Sequence, residues 1–210
     1  MPQVIDAKAL VQNKKRLPTE AFFVDTNVVI AYADPFSRSL EPKYRELYSH
    51  VAEVMHYIKS SGTHCFCTST VVWEYYVYIQ RGFFSIYNYN TGKIHFDSDA
   101  FKHQRDVDLK FRESWALHLK KFKKIFSKTF EVCDRVENWL DIINRFDGMQ
   151  VDWGDQVILQ QMMSTEKNRH CIFSNDGDFY KFPEEFYLLT TNNKIVEKAR
   201  VDGRLLKLDK

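Results

Sequence analysis

Two short apolar runs, each followed by an acidic turn, constrain the fold of this chain most. Ala21-Phe22-Phe23-Val24 has no helical periodicity and reads as a buried strand. Asp25-Thr26-Asn27 follows it, and residues 28–33 continue as a helix that Asp25 or Thr26 can cap. The unit recurs: 64–68 reads as a strand and 69–79 as a helix. Between them, Tyr44, Leu47, Val51, Val54, Met55 and Ile58 mark a helix over 43–59. Later come a helix over 153–163, the second run as a strand over 170–174, and a turn at Asn175-Asp176-Gly177. A strand over 186–190 and a helix over 192–200 follow. Strands that alternate with helices predict an α/β fold, a central parallel sheet flanked by helices.

The middle of the chain is different. Residues 83–97 alternate aromatic and polar residues around Asn90-Thr91-Gly92, which predicts a hairpin. Residues 103–133 read as one long helix with the stripe Val107, Phe111, Trp115, His118 or Leu119, Phe122, Phe126, Phe130 and Cys133. A helix over 134–146 folds back through Val136, Leu140 and Ile143. The first 20 residues read as a short helix and a polar lead-in. No stretch is rich enough in Gly, Pro or Ser to separate domains. The expectation is one domain over 1–210 with a hairpin and helical insertion at about 83–148.

Composition narrows the function. At 210 residues, 44% hydrophobic and 28% charged, the chain is not mainly disordered. No apolar run approaches a membrane span, and Met1-Pro2-Gln3-Val4-Ile5-Asp6 lacks signal architecture, so a cytoplasmic protein with no membrane partner is expected. Cys65, Cys67, Cys133 and Cys171 have no CxxC pairing and read as reduced thiols rather than a zinc site. The net charge is +2, but it is unevenly spread. Residues 101–128 hold nine Lys and Arg against three acids, which leaves the remainder acidic. A basic arm beside an acidic body suits a polyanion held next to a cationic metal site.

Four acids fall where that site is expected. Asp25 follows the first strand, Glu74 lies on the helix after the second, Asp155 opens the helix after 151, and Asp176 follows the strand ending at Ser174. The carboxyl ends of parallel strands form the ligand crevice of such sheets. Four clustered carboxylates need protons or cations, and Mg²⁺ or Mn²⁺ with oxygen ligands is the usual answer.

Here the sequence resembles the PIN-domain nucleases. Phe22-Phe23-Val24-Asp25-Thr26-Asn27 is similar to the opening motif of that family. Ser69-Thr70-Val71-Val72-Trp73-Glu74 is similar to its second motif, Asp155-Gln156-Val157-Ile158-Leu159 to its third, and Ile172-Phe173-Ser174-Asn175-Asp176-Gly177-Asp178-Phe179 to its fourth. The likeness covers 21–80 and 151–190. It implies a PIN-like fold and a metal-dependent endoribonuclease that hydrolyses RNA with metal-activated water, leaving 5′-phosphate and 3′-hydroxyl ends. It also implies partners: RNA, and, if the chain is of the toxin type, an antitoxin protein and a homodimer. The gap between Glu74 and Asp155 is longer than in a compact toxin, and nothing of the family is carried onto the insertion that fills it.

The expected metal ligands and catalytic residues are Asp25, Glu74, Asp155 and Asp176. Asn27 and Ser174 are candidates to orient carboxylates by hydrogen bonding, and Asp178 to serve as an auxiliary ligand or turn former. Asp152 reads as the cap of the helix that carries Asp155. Lys120, Lys121, Lys124 and Lys128 are candidate phosphate contacts, against the plain reading of a solvated helix face. The alternative to a nuclease is a non-catalytic PIN-like scaffold that binds RNA or protein. A phosphotransfer site with Asp25 as nucleophile ranks lower, because a dehalogenase-type site wants a second Asp where this chain has Asn27. No Ser/His/Asp order or Walker loop competes.

Overall fold

The computed structural model describes residues 1–33, 42–92, 95–133 and 151–208. Its elements in order are β1 (Gln3–Asp6), α1 (Ala7–Gln12), β2 (Ala21–Val24), α2 (Thr26–Ala33), α3 (Pro42–Ser60), β3 (His64–Thr68) and α4 (Ser69–Tyr87). There follow α5 (Ser98–Val107), α6 (Leu109–Thr129), β4 (Glu131–Cys133), α7 (Trp153–Met163), β5 (Cys171–Phe173), β6 (Tyr187–Thr190) and α8 (Asn193–Val201). The strands form one six-stranded sheet in the order β1-β6-β5-β2-β3-β4, and every pairing is parallel. The fold is α/β with this sheet flanked by helices, as expected.

The central strands show why the apolar runs were legible. All four residues of β2 and all three of β5 are buried, because helices cover both faces of a parallel sheet and neither face can be polar. Phe22, Phe23, Ile172, Phe173, Leu188 and Leu189 are completely shielded and form the middle of the core. β2 and β5 are neighbours, with Phe23 opposite Ile172 and Val24 opposite Phe173. The chain leaves β2 toward β3 on one side and β5 toward β6 on the other. That reversal opens a crevice at their carboxyl ends.

Four expectations are corrected. The lead-in contains strand β1, which pairs with β6 on the sheet edge, with only α1 as the expected helix. The hairpin at 83–97 does not form: α4 runs on to Tyr87 and a short 3-10 turn follows at Tyr89–Thr91. Ile79, Phe83 and Phe84 continue one buried face, and their burial outweighs the roughly 1 kcal/mol that Gly82 costs inside a helix. The long helix over 103–133 is two helices. Asp108 leaves helical geometry and its carboxylate accepts from Phe111 N–H, capping α6. The break shifts the helical phase, so Val107 is exposed although Phe111, Trp115 and Phe126 are buried. Finally, Glu131–Cys133 is the edge strand β4 rather than helix. The helix expected over 134–146 lies outside the described residues.

α4, α5 and α6 pack through aromatic rings, with Phe83–Phe111 centroids at 4.9 Å, Phe101–Trp115 at 5.2 Å and Tyr75–Phe126 at 5.7 Å. Such a layer gives the inserted helices a core of their own, continuous with that of the sheet. Cys65, Cys67 and Cys171 are buried free thiols, and among the described residues the cysteines join no metal-binding group. Among those residues, no helix is long and apolar enough to cross a membrane.

Candidate metal centre at the carboxyl ends of the sheet

Asp25 leaves β2 in register with the sheet. Its N–H donates to the Phe173 carbonyl at 3.1 Å, which sets it beside Ser174 at the end of β5. Its carbonyl then accepts from Val28 and Val29 N–H at 3.1 Å, opening α2. One residue therefore ends the strand and starts the helix, and its carboxylate is held in place. Ser174 Oγ donates to Asp25 Oδ2 at 2.6 Å, and Asn27 Nδ2 donates to the same oxygen. Thr26 N–H donates to Asp25 Oδ1 at 2.5 Å. Asn27 and Ser174 thus orient Asp25.

The other carboxylates come from α7 and from the turn after β5. Asp152 caps α7, its Oδ1 accepting from Gly154 N–H at 2.7 Å. That cap positions Asp155 in the first turn of the helix, where it is only 8% exposed. After β5, Asp176 N–H donates to Ser174 Oγ at 2.9 Å and Asp178 N–H donates to Asp176 Oδ1 at 2.9 Å. This turn folds Asp176 and Asp178 toward α7. Asp155, Asp176 and Asp178 each place a carboxylate oxygen within 4.8 Å of the other two, a group that can hold a metal ion. Oxygen donors alone suit a hard divalent cation.

Of the expected ligands, Asp155 and Asp176 lie in the tight group, and Asp178, expected as an auxiliary residue, completes it. Asp25 adjoins them closely enough that its charge acts on Asp155. Glu74 sits at the edge: its Oε2 accepts from Thr26 Oγ1, and its Oε1 lies against Gly154. Asp152 is a helix cap, as its position suggested.

The electrostatics follow from burial and crowding. Burial pushes the Asp25 carboxyl up to about 7; the charges of Asp176 and Glu74 add to that, and bonds from Ser174 and Thr26 oppose it. Burial, then the charges of Asp25, Asp176, Asp152 and Asp178, push Asp155 up to about 8. Lys181 Nζ pairs with Asp178 Oδ1 at 2.5 Å and neutralises part of the cluster from outside.

Three contributors carried no signal that sequence reasoning used. Thr26 holds Glu74. Asn175, read only as a turn residue, accepts at Oδ1 from Thr190 Oγ1, Thr191 N–H and Thr191 Oγ1 at 2.9 to 3.0 Å, tying the acidic turn to β6. Gly154 gives Glu74 its place: a Cβ there would lie 2.5 Å from Glu74 Oε1. A glycine in the first turn of an apolar helix, one position before an acid, is the clue that was available. Gly154→Ala is expected to fold, because alanine favours the helix by about 1 kcal/mol. Glu74 Oε1 must then shift, and if Glu74 helps to hold a cation, Mn²⁺ affinity is expected to fall about tenfold, read by titration calorimetry. An unchanged affinity would show that Glu74 plays no part in holding the cation.

Comparisons with protein-family models, with curated proteins and with solved structures find no match. The functional reading therefore rests on the geometry of the site and on the motif resemblance.

Proposed function

We propose that this chain is a metal-dependent endoribonuclease of the PIN-domain type. The observation that carries the reading is the meeting of Asp155, Asp176 and Asp178 within 4.8 Å, beside Asp25, at the crevice where β2 and β5 diverge. These residues come from three separate motifs, Asp176 and Asp178 sharing one, and a sheet core alone gives no reason for acids to gather there. A repulsive cluster that shields two of its carboxyl groups is poised to take up a cation.

In this reading Asp155, Asp176 and Asp178 hold Mg²⁺ or Mn²⁺. A bound divalent cation supplies water activation near neutral pH and charge stabilisation at the phosphoryl oxygens. Asp25, fixed by Ser174 and Asn27 beside the three ligands, would be the residue to accept a proton from the attacking water. Glu74 closes the opposite edge from α4. Cleavage of RNA in Mg²⁺ or Mn²⁺ and none in EDTA is the direct test; RNA left intact under every metal condition would refute the reading.

One observation favours the alternative, a non-catalytic RNA- or protein-binding scaffold. Raised proton affinity at Asp25 and Asp155, together with the Lys181–Asp178 pair, neutralises the cluster without a cation. Metal-dependent cleavage separates the two readings.

The basic arm belongs to the same proposal. Lys120, Lys121, Lys124 and Lys128 all lie exposed on α6, whose opposite side packs on α4. As phosphate contacts they act as flexible point charges that position RNA without reading its bases. Changing all four to Gln is expected to weaken RNA binding most at low salt. The log–log salt slope should flatten by about 0.7 for each phosphate no longer neutralised. Stability should barely move, because exposed charges contribute little. The same slope in parent and variant would mark α6 as a solvated face.

A further inference from the structure

We propose that the surface beside the carboxylates is a stacking platform for single-stranded RNA, with Trp73 receiving an unpaired base and Arg81 an adjacent phosphate. The proposal takes its substrate class from the ribonuclease reading and adds how the strand is held.

The observations are on α4 and α7. Trp73 and Trp153 are 64% and 47% exposed, and each immediately precedes a residue of the site, Glu74 and Gly154. Trp73 lines one groove together with Glu74, whose carboxylate lies against Gly154, so this exposed indole stands beside the site. Trp73 does not serve the core: Val71 and Tyr75 take the buried face of α4. Instead it stacks on Tyr76, with centroids 5.7 Å apart and planes at 25°, which holds its ring as a flat, solvent-facing plate.

Two grooves meet at this plate. One, of about 500 Å³, is lined by Trp73, Glu74 and Arg81 among others, and so joins the plate to Glu74 at the edge of the site. The other, of about 760 Å³, runs between α4 and α5, lined by Trp73, Tyr76, Arg81, Phe96, Lys102 and Arg105, and among the described residues no carboxylate stands in its wall. Arg81 lies over the Phe96 ring at 5.9 Å. Among the described residues, Lys102 and Arg105 pair with exposed neighbours on their own helix, Asp99 at 3.2 Å and Asp106 at 3.0 Å. Such exposed pairs contribute little and yield to a phosphate.

Aromatic plates alternating with cations match a single strand, whose bases offer open π-faces at every step. A duplex buries those faces within its own stack and is recognised by shape instead. The cationic wall complements a polyanion, whereas an apolar protein partner would bury Arg81 without offering it an acceptor.

The test is binding in EDTA, where cleavage is absent, so its failure is distinct from failure of the nuclease reading. The probes are a short fluorescent single-stranded RNA, its blunt duplex, and a strand of equal length lacking bases. The parent should prefer the single strand to both others by tenfold or more. Trp73→Ala should weaken single-strand binding by about tenfold, in line with the removal of one base stack, and leave binding of the abasic strand unchanged. Trp73→Phe should restore most of the affinity. Arg81→Gln should weaken both the single strand and the abasic strand. Trp73 is exposed, so these variants are expected to fold, and circular dichroism melts confirm it. The proposal is overturned if Trp73→Ala binds like the parent, if the abasic strand binds as tightly as the base-bearing one, or if the duplex is preferred.

Discussion

Asp155→Asn is expected to lower RNA cleavage in Mn²⁺ by about a thousandfold or more while leaving the protein folded. Asp155 is the most enclosed member of the tight acidic group, and its amide would keep shape but withdraw the charge that a cation needs. Stability should respond in the other direction. Asp155 has its pKa raised to about 8, so in the metal-free protein the folded state resists its ionisation. Asparagine removes that resistance. The variant should therefore match the parent only below about pH 4, where Asp155 is protonated in both the folded and the unfolded chain, and melt at an increasingly higher temperature as pH rises toward 9. Cleavage by Asp155→Asn at the parental rate would assign the activity to another site or to a contaminant.

The second large effect is a metal-dependent and pH-dependent rise in melting temperature. Asp25 and Asp155 bind protons more tightly when folded, with pKa values near 7 and 8 against an unfolded value near 4. The folded state thus carries more protons between those limits. Their contribution to stability is complete below about pH 4 and is lost as pH rises through 7 and 8. A cation reverses the balance, because it binds only the ionised cluster. At a concentration one hundred times its Kd it adds about 2.7 kcal/mol. For a chain of this size that raises Tm by roughly 5 to 10 °C. The rise should be large at pH 8 and small at pH 5.5, where protons compete for the same oxygens. Coincident melts with and without millimolar Mn²⁺ at pH 8 would remove the metal from the account.

How far the sequence led depended on what specified each element. β2 and β5 were legible because burial on both faces demands an unbroken apolar run. Asp25 and Asp176 were legible because a polar residue ending such a run marks the mouth of the sheet. β1 and β4, with four and three residues, were not, since edge strands this short are specified by the neighbour they pair with rather than by their own pattern. The expected hairpin rested on aromatic–polar alternation around Asn90-Thr91-Gly92, whereas the helix continues because Phe83 packs against Phe111 of α6. Within the site, carboxylates were easy to find and hard to rank. Whether Asp178 or Glu74 stands nearest to Asp155 depends on a turn that Asn175 ties to Thr190 and Thr191, and such a tie leaves no periodic trace.

The parallel order of the sheet also sets a schedule for synthesis. Asp25 is made early, yet the hydroxyl that holds it belongs to Ser174, 149 residues later. Neighbouring β2 and β5 are separated by most of the chain, and β1 finds its partner only when β6 has emerged. A ribosome-bound chain therefore carries the first acid without the serine that orients it or the turn that completes the cluster. Pairings this distant in sequence close slowly. The crevice can close only after Ser174 and β6 have left the ribosome, so an activity housed there would stay silent until then.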